Sequence, residues 1–271
     1  MKISGIIDVQ ALETLQLEEI DQNILLIRLN RPNVSNAINT EMGHELLRIF
    51  DALEGQPHLY RCVILTGAGE RSFCGGGDLK QRDGMSAEEF GDQHYLFERM
   101  YRAIAFCPIP LICAANGPAV AGGLELLLAC DFAYAVKTAV FGFTEVMRGI
   151  IPGGGGTQQL PRAIGGRRAK ELILRGARFS AEEALAWGVV NRLCEPSALL
   201  AETVAAAQDI CRNAPLAVAQ AKKAIDLGLQ ADLRTGLFLE IEAYSRLIHT
   251  QDRREGINAY NEKRTPVFKG R

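Results

Sequence analysis

The chain has 271 residues, 48% of them hydrophobic and 23% charged, with 30 Lys and Arg against 32 Asp and Glu for a formal net charge of −2. That length and apolar share suffice for a globular interior and exclude wholesale disorder. The balanced charge, with cations scattered among acids, leaves no footprint for sequence-independent nucleic-acid binding.

The N-terminal stretch Met1 to Asp8 has no apolar leader core, and no window approaches the about 18 uninterrupted apolar residues of a membrane span. The expectation is a soluble, cytoplasmic protein with no membrane partner. Short apolar runs at 24–29, 62–66, 111–115 and 132–136, bounded by Gly, Pro and Asn, predict buried or half-buried strands. Met42, Leu46 and Ile49 within residues 40–52, with Leu53 directly after them, fall at helical spacing, and the alternation of strands with such stretches predicts an α/β fold. Beyond Pro196 the composition turns rich in Ala, Leu, Gln and Arg, with helical period over 199–213, 215–227 and 235–247. The expected division is a core of residues 1–195 and a helical region of residues 196–271. Seven cysteines without a C-x-x-C pair read as buried thiols rather than a disulfide framework.

Among the 27 glycines, conspicuous groups stand at 75–77, 122–123 and 153–156, all before residue 196. A dinucleotide site is the first chemistry to test, because a predicted strand leads into Gly67-Ala-Gly69-Glu-Arg-Ser72. The third glycine is missing and Phe73-Cys74-Gly75 follows where a helix should open, so that context fails. The run 153–156 is followed by Thr157-Gln158 and lacks the lysine of a phosphate loop. His44, His58, His94 and His249 show no metal-ligand spacing, and no G-x-S-x-G elbow occurs, so metal and serine-nucleophile chemistry have no support.

Carboxylates carry more. Glu125 interrupts the apolar stretch Ala121-Gly-Gly-Leu-Glu125-Leu-Leu-Leu-Ala, and Glu145 lies in Val140-Phe-Gly-Phe-Thr-Glu145-Val-Met. A carboxylate in such surroundings either finds a partner, as Glu145 would in Arg148, or raises its pKa into the range of a general acid or base. Gly77 and Gly122 supply the complement, two backbone N–H groups that a ligand oxygen can approach with no Cβ in the way. A tight turn explains either glycine cluster on its own.

Together the motifs Phe73-Cys-Gly-Gly-Gly-Asp78-Leu79, Asn116-Gly-Pro-Ala-Val-Ala-Gly-Gly-Leu-Glu125 and Phe141-Gly-Phe-Thr-Glu145, with Gly149 to Arg162, resemble the enoyl-CoA hydratase/isomerase (crotonase) family. The likeness extends from Leu29-Asn-Arg-Pro32 to Glu255-Gly-Ile-Asn-Ala-Tyr-Asn-Glu-Lys-Arg264. The resemblance implies a spiral of ββα units with a C-terminal helical region that mediates trimer formation, commonly two trimers as a hexamer. It implies a coenzyme A thioester as substrate and no further cofactor. Gly77 and Gly122 match the oxyanion-hole positions, Glu125 and Glu145 the two catalytic glutamates of the hydratases, and Gly153 a backbone group that helps hold the water. Val34, Cys74, Asp78, Leu79, Lys80 and Lys263 match substrate or CoA contacts, Lys263 by reaching a neighbouring subunit.

Two departures stand out. Gly75-Gly76-Gly77 replaces the usual Ala-Gly-Ala, which makes the loop less preorganised, and Asn33 stands where a phosphate-binding lysine is common. The segments from Asp78 to Ser86 and from Asp252 to Gly256 are similar to the AU-binding methylglutaconyl-CoA hydratase branch. A glutaconyl-type acyl group would want a cation, for which Arg82 and Arg148 are available. Retention of both glutamates argues for hydration of a 2-enoyl-CoA. An isomerase of the same fold and an RNA-binding protein with a vestigial site are the alternatives, the latter opposed by the charge balance.

Overall fold

The structure, a computed structural model, describes residues 3–271; the first two residues of the N-terminal stretch lie outside it. The chain opens with the antiparallel hairpin of β1 (Leu15–Ile20) and β2 (Ile24–Leu29), in register from Leu15 opposite Leu29 to Ile20 opposite Ile24. Asp21 and Gln22, with φ of 50° and 61°, sit in the left-handed region within the three-residue loop 21–23, where the Asn23 N–H donates to the Ile20 carbonyl at 3.3 Å. Helix α1 (Thr40–Gly55) starts where the Asn39 side chain accepts from the Met42 N–H, and it buries the Met42, Leu46, Ile49 and Leu53 stripe read from the sequence. Strand β3 (Cys62–Gly67) follows, parallel to β2.

From β3 onward the chain repeats one excursion. It leaves the main sheet, touches a second layer of short strands, and returns through helices. After β3 it bridges Ile38 to Gly77 and Cys74 to Ala119, then forms α2 (Leu79–Arg82) and α3 (Ala87–Ala105), the latter opened by a reciprocal Ser86–Glu89 capping box. Strand β4 (Leu111–Ala115) rejoins the main sheet, β5 (Ala119–Val120) enters the second layer, and α4 (Gly122–Ala129) follows. Strands β6 (Phe132–Val136) and β7 (Val140–Gly142) repeat the step before α5 (Gly156–Ile164) and α6 (Gly166–Arg175). Strand β8 (Arg178–Ser180) pairs antiparallel with β7, and α7 (Ala181–Trp187) leads to β9 (Arg192–Cys194) at the edge of the main sheet.

The main sheet thus runs β1-β2-β3-β4-β6-β9, parallel from β2 onward, beside a second sheet β5-β7-β8. Strands β3 and β4 are buried at every residue, as expected where both faces of a parallel sheet are covered. Loops at the strand ends are tied by Asn36, fully buried, whose Oδ1 accepts from the Arg31 N–H and whose Nδ2 donates to the carbonyls of Ala68 and Ser72.

Helix α8 (Leu199–Cys211) packs on β3 and β4, whereas α9 (Pro215–Gly228) and α10 (Leu233–Ser245) pack mainly on each other. Lys222 of α9 pairs with Asp131. After α11 (Gln251–Asn261) the tail folds back: the Lys269 and Gly270 N–H groups donate to buried Asp252, and Arg61 donates to the Phe268 carbonyl. All seven cysteines are free. Among the described residues no helix is long and apolar enough to cross a membrane.

Candidate active site

Two backbone segments from different excursions meet at the edge of the second layer. The first, 74–78, is held by the Ile38 N–H donating to the Gly76 carbonyl at 2.8 Å and the Asp78 N–H donating to the Ile38 carbonyl at 2.9 Å. That ladder leaves the intervening Gly77 N–H pointing away from Ile38. The second segment begins where the Val120 N–H donates to the Cys74 carbonyl at 3.1 Å and ends in the first turn of α4, whose Gly122 N–H has no intrahelical partner. Among the described residues neither the Gly77 nor the Gly122 N–H has an acceptor.

The approach is close enough to demand glycine. A Cβ at Gly123 would lie 2.1 Å from the Cys74 carbonyl oxygen, and one at Gly76 would lie 2.9 Å from the Ala121 Cβ. Ala121 itself sits at φ 51°, ψ −127°, a conformation rarely taken by a residue with a side chain and costing on the order of 1–3 kcal/mol.

Glu125 stands one turn into α4 and is 3% exposed. Its Oε1 accepts from the Gly154 N–H at 2.7 Å and the Gly156 N–H at 2.9 Å, leaving Oε2 without a protein donor. Burial pushes the Glu125 carboxyl up to about 7; the two N–H donors oppose the rise and the nearby charge of Glu145 adds to it. Glu145 opens a 3-10 turn, Glu145–Arg148, and burial raises its pKa as well, with Arg148 opposing. The Glu145–Arg148 ion pair left open by the sequence is not formed. Arg148 instead donates to the carbonyl and hydroxyl of Thr144, both at 3.1 Å, and Glu145 Oε2 is buried without a partner.

Helix α3 forms the facing wall. The buried Tyr101 hydroxyl donates to the Gly122 carbonyl at 2.9 Å, and a Cβ at Gly154 would meet the same ring at 2.3 Å. Burial, with the charges of Glu125 and Glu145 adding to it, holds that phenol well above its ordinary pKa, so it stays a donor. His94 borders Gly153, where a Cβ would lie 2.8 Å from the imidazole, and the Gly153 N–H has no acceptor among the described residues. Tyr101, Gly154 and Gly156 escape the sequence reading. The run 153–156 is a signal for the two glycines, whereas Tyr101 looks like any apolar-face residue of an amphipathic helix.

Other expected contacts are placed differently. Asp78 caps α2 and pairs with Arg31 at 2.8 Å; burial raises its pKa, but Arg31 and the Gln81 and Lys80 N–H groups outweigh this and hold the carboxyl below its ordinary value. Leu79 and Lys80 are exposed directly beyond it, and Val34 is half-buried in the turn Pro32–Val34. Cys74 is fully buried, its thiol donating to the Asn36 carbonyl, so its side chain faces the core rather than the cleft. Lys263 is exposed just beyond α11, and no contact among the described residues links it to this cleft.

A family model described as enoyl-CoA hydratase/isomerase matches residues 19–271. The crystal structure of an enoyl-CoA hydratase from Bacillus anthracis superposes with a TM-score of 0.93 at 43% identity, covering 96% of this chain and 100% of that one. The Mus musculus protein named enoyl-CoA hydratase domain-containing protein 2, mitochondrial, is 41% identical over 255 residues, 93% of this chain and 86% of its own. Methylglutaconyl-CoA hydratase, mitochondrial, also from Mus musculus, is 38% identical over 258 residues, 94% and 82% of the two chains.

The raised Glu125 pKa has a consequence for stability. In the unfolded chain this carboxyl loses its proton near the ordinary glutamate value, while the folded state holds it to about 7. Stability therefore falls as pH rises through that window and is level above it. Glu125→Gln is expected to be more stable than wild type by as much as about 3 kcal/mol at pH 8, with the gap closing toward pH 4, in urea denaturation. Equal stability at both pH values would show that the carboxyl is not strained by burial.

Proposed function

We propose that this chain, which belongs to the enoyl-CoA hydratase/isomerase family and has the crotonase fold, adds water across the 2,3 double bond of a 2-enoyl-CoA thioester to give a 3-hydroxyacyl-CoA. The observation that carries this reading is the pairing of two buried, mutually repelling carboxylates with two adjacent N–H groups that lack acceptors. The thioester oxygen takes those N–H groups, which stabilise the negative charge that builds on it as water adds; one such donor is worth about 3 kcal/mol. Glu125, its Oε1 anchored by Gly154 and Gly156, presents Oε2 to the water and takes a proton as oxygen bonds to C3. Glu145 delivers a proton to C2, and the proton taken up by Glu125 returns to Glu145 through water before the next turnover. The two carboxylates titrate as a pair, and a value near neutrality lets one group both accept and return a proton. The unpartnered Gly153 N–H helps hold the water.

Only water and protons move, so the reaction asks for no group beyond the CoA of the substrate. Leu79 and Lys80, exposed beside Gly77, are assigned to the CoA moiety together with Val34, Asp78 and the backbone at Cys74. The acyl group is branched or of glutaconyl type, a reading supported by similarity to methylglutaconyl-CoA hydratase. Free cysteines and the lack of a membrane-length apolar helix among the described residues support a cytoplasmic location. The apolar faces of α9 and α10, with Leu229, Leu233, Phe238, Ile241 and Tyr244 exposed, support a trimer or a hexamer, in which Lys263 reaches a neighbouring subunit.

With crotonyl-CoA in 18O-labelled water, the enoyl absorbance is expected to fall while one labelled oxygen enters C3. Glu125→Gln and Glu145→Gln are each expected to slow this by about 10²–10⁴-fold. Full rate in either variant, or double-bond migration without oxygen uptake, contradicts the reading and favours an isomerase. Light scattering is expected to return three or six times the 29.6 kDa chain mass; a monomer would leave the apolar faces unexplained.

A further inference from the structure

Arg82 ends α2 and lies against Gly77. A Cβ at Gly77 would stand 2.9 Å from the Arg82 Cζ, 3.0 Å from Nη1 and 3.1 Å from Nη2, so the guanidinium fills the room a side chain would take there. It is not free to step aside. Its Nε donates to the Gln93 Oε1 at 2.8 Å. Gln93 is 2% exposed, and its Nε2 donates to the Thr40 hydroxyl at 2.9 Å and to the Gln81 Oε1 at 3.0 Å, which fixes the amide with its oxygen toward the arginine. The rings of Phe90 and Phe97, their centroids 4.9 Å and 5.6 Å from Cζ, complete the frame.

The frame holds the guanidinium by Nε alone and leaves its charge uncompensated. Nη1 and Nη2 have no acceptor and no carboxylate partner among the described residues. Arg31, by contrast, is neutralised by Asp78, and Arg61 spends its nitrogens on two carbonyls. Arg82 is half-buried, and burial lowers its pKa, the mark of a positive charge held away from water without a counter-charge. Such a cation is unfavourable until negative charge develops beside it.

In the reaction proposed above, negative charge develops on the oxygen that takes the Gly77 N–H. The thioester is neutral when it binds and gains that charge only as water adds. A fixed cation against Gly77 is therefore better compensated in the transition state than in the substrate complex, and only such a difference raises the rate of the chemical step. The CoA phosphates are poorer partners for it, since their charge does not change during the reaction. They are also better served by the solvent side of α2, where Leu79 and Lys80 are exposed, than by a guanidinium turned onto Gly77 and framed by the α3 rings.

We infer that Arg82 is a positioning residue of the oxyanion hole, holding a fixed positive charge against Gly77 that favours the enolate-like state beyond what the two backbone donors achieve. The inference rests on the enoyl-CoA reading of this site and adds a charged side chain to its machinery. Arg82 acts through Gly77 and needs no contact with the substrate. In a site that excludes water its field reaches the oxygen across a residue without a side chain, and the Gln93 anchor sets its place before the substrate arrives.

Acetoacetyl-CoA tests this without turnover. Loss of its C2 proton to the buffer gives an enolate that shares its negative charge with the thioester oxygen and absorbs at longer wavelength than the ketone form. At one fixed pH, wild type is expected to hold a larger enolate fraction than water does. Arg82→Met, which keeps an unbranched stem without the charge, is expected to lower the bound enolate-to-ketone ratio about tenfold while leaving butyryl-CoA affinity in calorimetry within about threefold. Arg82→Lys, which keeps the charge without the fork, is expected to lose less, about threefold. Gln93→Glu, nearly unchanged in shape, gives the guanidinium a carboxylate partner; it is expected to lower the ratio severalfold and carries the test if the methionine variant fails to fold. An enriched enolate that none of these substitutions changes would overturn the inference. So would a tenfold loss of butyryl-CoA affinity in Arg82→Met with the enolate ratio intact, which would put the guanidinium on the CoA phosphates. No enrichment in wild type contradicts the oxyanion reading of the site, and the inference with it.

Discussion

The contact between the Cys74 carbonyl and the start of α4 is the constraint on which the site depends. At Gly123 there is no room for a Cβ, and at Gly76 any side chain would collide with Ala121. Because both backbones come this close, the Gly77 and Gly122 N–H groups become neighbours although 45 residues separate them. The pairing of Val120 with Cys74 holds the two backbones together at this spot, and the Ala121 hinge beside it carries strain that a plain strand-to-helix turn would not.

Helix α4 links that contact to the carboxylates. Its first turn offers the unpaired Gly122 N–H, and Glu125 projects one turn later, so the donor and the acid are set by a single rigid element. The 153–156 run then closes over Glu125 with two N–H bonds to one oxygen, which restrains the side chain while leaving the other oxygen uncommitted. Tyr101 joins the two halves, its hydroxyl on the Gly122 carbonyl and its ring against Gly154. Burial does the electrostatic work on all three groups, which is why the glutamates and the tyrosine shift upward together.

How much of this the sequence discloses depends on whether a signal is local. Strands β3 and β4 are legible because a parallel strand covered on both faces reads as an unbroken apolar run, and β2 and β6 because their residues are largely apolar even where Arg28, Phe132 and Tyr134 are only half-buried. Strand β1 is not, because at the sheet edge it buries little beyond Leu15 and mixes Gln and Glu into the run. Glu125 announces itself as a charge inside an apolar helix, and the glycine clusters announce close approach. Tyr101 and Gln93 carry no such mark, since their importance comes from what lies across the cleft. Arg82 could be named as an available cation, but only the fold separates it from Arg148, which is spent on Thr144 while Arg82 keeps two nitrogens free.

The central claim is that two N–H groups on segments remote in sequence polarise one thioester oxygen. Isotope-edited infrared difference spectroscopy of crotonyl-CoA labelled with 13C at the thioester carbonyl, bound to the Glu125→Gln protein, measures this directly. The carbonyl stretch is expected to move to lower wavenumber than in water, as two donors fixed at the oxygen weaken the C=O bond. A stretch unchanged from the aqueous value would mean that the oxygen does not lie between Gly77 and Gly122, and the site would need another explanation.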